Sequence, residues 1–258
     1  MLTGSANYMA SRGPTETLAG RASRVRVWPL SQGEIFGTHE TFLDDLFDAP
    51  ACLGIWSTSS SPGAGRVDVF SALVSGGFPE AYRRASAPKA QEKWFFDYVD
   101  DVTSAEALRG VAEVRREGEF RRMFSLLGAQ TSQEVNVSYL AESLALNRAT
   151  AQSHLGLLEA LHLITLLPSW STNLSTRIRG QSRVHVVDSG LASALVGIEV
   201  KATSTLLAKH AKHLAFVRDK LGDRFKGRFV LHLGDQALPL GDRLWALPIP
   251  SMWTSTVV

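Results

Sequence analysis

A chain of 258 residues with 45% hydrophobic and 20% charged residues has ordinary globular usage, enough for one large or two small cores. Its net charge of +2 excludes a strong whole-molecule attraction to polyanions, so any nucleic-acid surface must be local. The single cysteine, Cys52, excludes an internal disulfide framework and a multi-cysteine zinc site; it reads as a small buried hydrophobe in a reducing cytoplasm.

Residues 1–20 lack the charged and apolar regions of a signal peptide. No charge-free window of about 20 apolar residues follows anywhere, so no membrane span is expected. Leu2 runs directly into Thr3-Gly4-Ser5, as if a strand were entered partway. Residues 1–35 are basic, with Arg12, Arg21, Arg24 and Arg26, and the alternation of Val25, Val27, Trp28 and Leu30 suits a short strand. A helix is expected over 41–47, and the run from Ser57 to Gly65 reads as a linker. From 68 to 130 spacings of three and four dominate, as in Trp94, Phe95, Tyr98, Val99 and Val102, which predicts amphipathic helices. Ser75-Gly76-Gly77-Phe78-Pro79 breaks that run and demands a turn.

Residues 119–187 carry the most informative pattern. A helix at 120–129 precedes the extended Val135-Asn136-Val137, and Ser138 is a good N-cap for a helix at 139–144. Ala145-Leu146-Asn147 turns into a second helix over 148–162, whose Leu155, Leu157, Leu158 and Leu161 face inward. Strands at 163–167 and 183–187 flank a polar stretch, with Arg177, Arg179 and Arg183 on or beside it. Helix, turn, helix and a two-stranded wing make a winged helix. On such a module Arg148, Thr150, Gln152 and Ser153 would meet base edges while the three arginines neutralise phosphates. Winged helices also serve as packing or protein-contact units, so duplex DNA and a protein partner are both expected ligand classes.

Beyond 198, a strand Ile198-Glu199-Val200, a helix over 206–221 and a strand over 228–233 form a βαβ pattern that implies parallel pairing. Trp28, Trp94, Trp170 and Trp245 point to ordered cores. No G-x-x-x-x-G-K-[ST] phosphate loop is present, and Pro62-Gly63-Ala64-Gly65-Arg66 lacks both the lysine and the hydroxyl that such a loop needs. Glu199 and Lys201 share one strand face, where a carboxylate can hold a divalent metal and an ammonium can orient water. Alternating charges on a strand edge give the same string without catalysis, and Asp188, the nearest upstream acid, reads better as a helix N-cap. His210 and His213 stand at i, i+3 with no third ligand nearby, the pattern of a solvated helix face.

Several strings occur together: Leu2-Thr3-Gly4-Ser5-Ala6-Asn7, Leu18-Ala19-Gly20-Arg21, Gly76-Gly77-Phe78-Pro79-Glu80, the run 174–179, Val187-Asp188-Ser189-Gly190-Leu191-Ala192 and Ile198-Glu199-Val200-Lys201-Ala202. In this order the chain resembles AAA-type ATP-binding proteins with a C-terminal domain similar to a degenerate PD-(D/E)xK nuclease. The resemblance implies a mixed α/β chain: a remnant of the AAA ATPase core (1–56), a linker (57–67), a helical connector (68–130), a winged helix (131–197) and a partial restriction-endonuclease-like α/β end (198–258). It also implies that Ser5 and Asn7 hold the nucleotide-sensing position and that Arg21 lies near it. Intact members of that family use ATP and Mg. Here the phosphate loop, the magnesium acids and a segment between 197 and 198 with the Asp that completes the nuclease site have no counterpart. The expectation is therefore a truncated, internally deleted cytoplasmic protein, non-catalytic and without a cofactor, whose exposed apolar surface favours self-association. The enzyme alternative is a metal-dependent nuclease built on Glu199 and Lys201 with a third acid.

Overall fold

The computed structural model describes residues 25–42, 44, 66–108, 117–170, 173, 175, 180–196, 219 and 228–253. The chain divides into two compact units, one of residues 1–29 and 74–198, the other of residues 30–73 and 199–258. Both helices and small sheets are present, so the fold is mixed α/β.

In the second unit, α1 (Gln32–Phe36) opens with a reciprocal capping box. Ser31 Oγ accepts the Glu34 amide at 3.1 Å and Glu34 Oε2 accepts the Ser31 amide at 2.8 Å, which satisfies two end donors of a very short helix. Phe42 meets Phe229 edge to face at 5.1 Å and is buried with Leu247. The strands β3 (Arg228–His232), β4 (Leu238–Gly241) and β5 (Leu244–Pro248) lie in the order β3-β5-β4, with β3 parallel and β4 antiparallel to β5. The expected parallel strand at 198–200 and helix over 206–221 fall outside the described residues, apart from Asp219.

The first unit holds the larger core. Helix α4 (Pro88–Thr103) begins with proline at its first turn and buries Gln91, Phe95, Val99 and Thr103, one residue per turn along a single stripe. Gln91 pins the preceding helix α3 (Pro79–Tyr82) by donating to the Ala81 carbonyl at 2.9 Å. Helix α6 (Glu117–Ala129) places two acids in its first turn, where they suit the helix dipole, and buries Phe120, Met123, Phe124 and Leu127 completely. Burying each phenylalanine contributes on the order of 2–3 kcal/mol. Helix α2 (Arg66–Ser75), most of it in the second unit, precedes α3 in sequence, and α5 (Ala105–Leu108) follows α4.

Three expectations need correction. Residues 25–30 are not a strand: Val25 and Val27 stand exposed, and Arg26 instead lies over the Trp28 ring at 4.3 Å and donates to His162 Nδ1 at 2.5 Å. Alternation alone does not make a strand without a neighbouring ladder to pair with. The first helix of the helix pair, α7 (Val137–Ser143), starts earlier than expected, because Asn136 and not Ser138 is its N-cap; Asn136 Oδ1 accepts the amides of Ser138 and Tyr139 at 3.0 and 3.1 Å. Trp28 and Trp170 are 52% and 58% exposed, so neither belongs to a core.

Candidate nucleic-acid interface

Helix α6 is followed by a single bridge between Glu134 and Arg183, then by α7, α8 (Arg148–Ala160), β1 (Ile164–Leu167) and β2 (Arg183–Val186). β1 and β2 are antiparallel in the register Ile164 to Val186. Around the bridge, the Val135 amide donates to Ser182 O at 2.9 Å and the Val184 amide to Gln133 O at 3.0 Å, so the segment around Glu134 is joined to β2. The segment is thus a helix pair followed by an antiparallel hairpin.

Residues 144–147 join the two helices. Leu144 caps α7, Ala145 takes a left-handed φ of 52°, and the Leu146 amide returns to Ala141 O at 2.8 Å. Asn147 then caps α8 by accepting the Thr150 amide at 2.7 Å. Ala151, His154, Leu155, Leu157 and Leu158 face the core. Burial pushes the His154 imidazole below its ordinary value, and Glu119 pulls weakly the other way. His154 packs edge to face on Phe120 at 5.4 Å.

The opposite side of α8 presents Arg148, Ala149, Gln152, Ser153 and Gly156 to solvent. Of the expected contact residues, Arg148, Gln152 and Ser153 thus share one face, and Thr150 lies half-buried at its edge. Arg148 Nη1 donates to the Ser138 hydroxyl at 3.0 Å, which ties the start of α8 to the start of α7. Ala149 and Gly156 were missed as part of this face, although the steps from Arg148 to Gln152 to Gly156 and from Ala149 to Ser153 announce it.

Arg183 sits differently. It lies on β2, where its guanidinium donates to Ser132 O at 2.9 Å and pairs with Glu134 at 3.6 Å. That geometry fastens the segment 132–134 to the hairpin. Arg177, Arg179, Ser5, Asn7, Arg21, Glu199 and Lys201 lie outside the described residues. Among the described residues, no group of three or more His, Cys, Asp or Glu could hold a metal ion, and no helix is long and apolar enough to cross a membrane.

Asp188, expected as an N-cap, accepts the Leu191 amide on Oδ1 at 2.9 Å at the head of α9 (Ser189–Val196). Its other oxygen accepts the Gly77 amide at 2.6 Å, so the glycine turn that broke the helical run and the cap of α9 meet at one buried carboxylate. Burial pushes the Asp188 carboxyl above its usual range, and the amides of Gly77, Leu191, Gly190 and Phe78 pull against that. Burial, with the nearby Asp188 charge, also raises the Tyr98 phenol.

The family described as a domain of unknown function, DUF8612, matches residues 66–202, more than half of the chain. A second domain of unknown function, DUF4143, matches residues 186–252. No curated protein and no solved structure matches the chain.

Proposed function

The chain belongs to the DUF8612 family, and from the helix pair and hairpin carried by that stretch we propose that it is a non-catalytic duplex-DNA contact protein. The observation that carries this reading is the exposed face of α8, where Arg148, Gln152 and Ser153 project from the first turns of the second helix of a helix-turn-helix. In such modules those positions enter the major groove. DUF4143 is a domain often found with AAA-type ATPases, which agrees with reading the chain as a relative of ATP-binding proteins. Without a phosphate loop in its sequence, the chain is assigned contact and not ATP turnover.

Fluorescence anisotropy of a labelled duplex, titrated with the full chain over a salt series, tests the assignment. Binding that weakens with salt and is further weakened by Arg148→Ala supports it. A monodisperse, folded protein that leaves the duplex free at low salt overturns it and leaves a protein-contact role for the same face.

A further inference from the structure

Resting on that reading, we infer that α8 is a specificity element that reads a guanine and an adenine about two base steps apart, through Arg148 and Gln152. The two residues are four apart on one exposed row, so their side chains leave the helix about 6 Å apart along its axis. Bases on one strand are stacked about 3.4 Å apart, so that separation spans about two steps. The chemistry of each side chain selects its base. The guanidinium fork of Arg148 matches the O6 and N7 acceptors of guanine, and the Gln152 amide, one donor and one acceptor, matches N6 and N7 of adenine.

Two features of the site favour base edges over phosphates. Arg148 gives one N–H to the Ser138 hydroxyl, which holds the arm while most of the fork's donors remain available. The Gln152 side chain stands exposed, so its amide is open to a ligand. Between and beyond them, Ala149, Ser153 and Gly156 add little or no side-chain bulk, which lets the helix backbone approach the floor of a groove. Glu142 stands exposed near the end of α7, and Arg148 is the one cation on the described part of the α8 face. A surface so weakly charged has little non-specific affinity to fall back on.

The test is selection by the full chain from a pool of duplexes with a randomised centre, followed by anisotropy on the enriched words. The expected enrichment carries guanine and adenine two steps apart, and replacing either base weakens binding about tenfold or more. Arg148→Ala abolishes the preference at the guanine alone and Gln152→Ala at the adenine alone, each with an unchanged circular dichroism spectrum. Duplex binding without enrichment, or preferences that survive both substitutions, overturns this inference and leaves the DNA-contact reading standing. Failure to bind any duplex overturns both.

Discussion

The Asp188 carboxylate accepts the Gly77 amide at 2.6 Å across 111 residues of sequence, and with its other oxygen it caps α9, the helix that follows the hairpin. One buried side chain, 5% exposed, therefore links the turn before α3 to the head of α9. The glycines around it are there for room. Gly76 has φ +64°, and a Cβ on it would collide with that carboxylate. A Cβ on Gly190 would lie 2.6 Å from Phe95 Cζ and 2.7 Å from the Val74 carbonyl.

Asp188→Asn keeps the size of the side chain but offers one acceptor where two are used, so a buried amide, at Gly77 or Leu191, faces a donor. The expected loss is about 1–3 kcal/mol, read from the urea midpoint at neutral pH. Gly76→Ala meets both the steric block and the left-handed φ and loses a similar amount. Midpoints equal to the parent protein would mean that the bracket is not a stabilising feature.

Much of the helix pair and hairpin was legible in the sequence, because the helices are amphipathic and the strands are short apolar runs. The helix pair, the turn at residues 145–147 and both hairpin strands fall within a residue or two of expectation. What sequence could not supply were the contacts between distant segments. Gly76-Gly77 read as a turn and Asp188 as a cap, and nothing local says that they touch. Arg183 looked like a wing cation because charge is visible in sequence, whereas its carbonyl and carboxylate partners, Ser132 and Glu134, are about fifty residues away. Residues 25–30 failed for the opposite reason, since an alternating pattern describes a strand only when a partner edge exists.

Ala145 adopts φ 52° at the turn between α7 and α8, a conformation that disfavours any Cβ by about 1–2 kcal/mol. Ala145→Gly relieves that strain, while the greater freedom of glycine in the unfolded chain returns part of the gain. The net expectation is a stabilisation of about 0.5–1 kcal/mol, visible as a rise in melting temperature. A fall would place the weight of the turn on the alanine methyl instead.

His232 closes the connection between β3 and β4. Its Nδ1 accepts the Gly234 amide at 2.9 Å, so the neutral ring carries its proton on Nε2, which donates to Gln236 O at 3.0 Å. Burial lowers its pKa, against smaller raising effects from Gln236 and Asp235. A folded pKa below the unfolded one means that the unfolded chain takes up the proton first as pH falls. The contribution to stability is therefore complete above the ordinary histidine value of roughly 6.5 and is lost as pH drops through that value towards the lowered one. His154 and His162 shift in the same direction, so the parent protein should weaken in acid from all three. Unfolding midpoints across this range should show a shallower acid loss for His232→Gln than for the parent, and parallel curves would remove His232 from the account.

On the proposed reading Arg148 is a contact arginine, whereas the bonds of Arg183 are structural. Arg183 is half-exposed and its ion pair with Glu134, at 3.6 Å, contributes little in water. Its hydrogen bond to the Ser132 carbonyl is worth more, so Arg183→Ala should lower stability by roughly 0.5–1.5 kcal/mol while leaving the dependence of duplex affinity on salt unchanged. Arg148→Ala should do the reverse. Its bond among the described residues, to the exposed Ser138 hydroxyl, leaves the unfolding midpoint within about 0.5 kcal/mol of the parent when lost, whereas duplex affinity falls. Urea unfolding and a salt titration on both variants read the two effects independently. Equal losses of affinity in the two variants would assign the interface to the wing as much as to the helix, because only then would the guanidinium of Arg183 be leaving Ser132 to meet the nucleic acid.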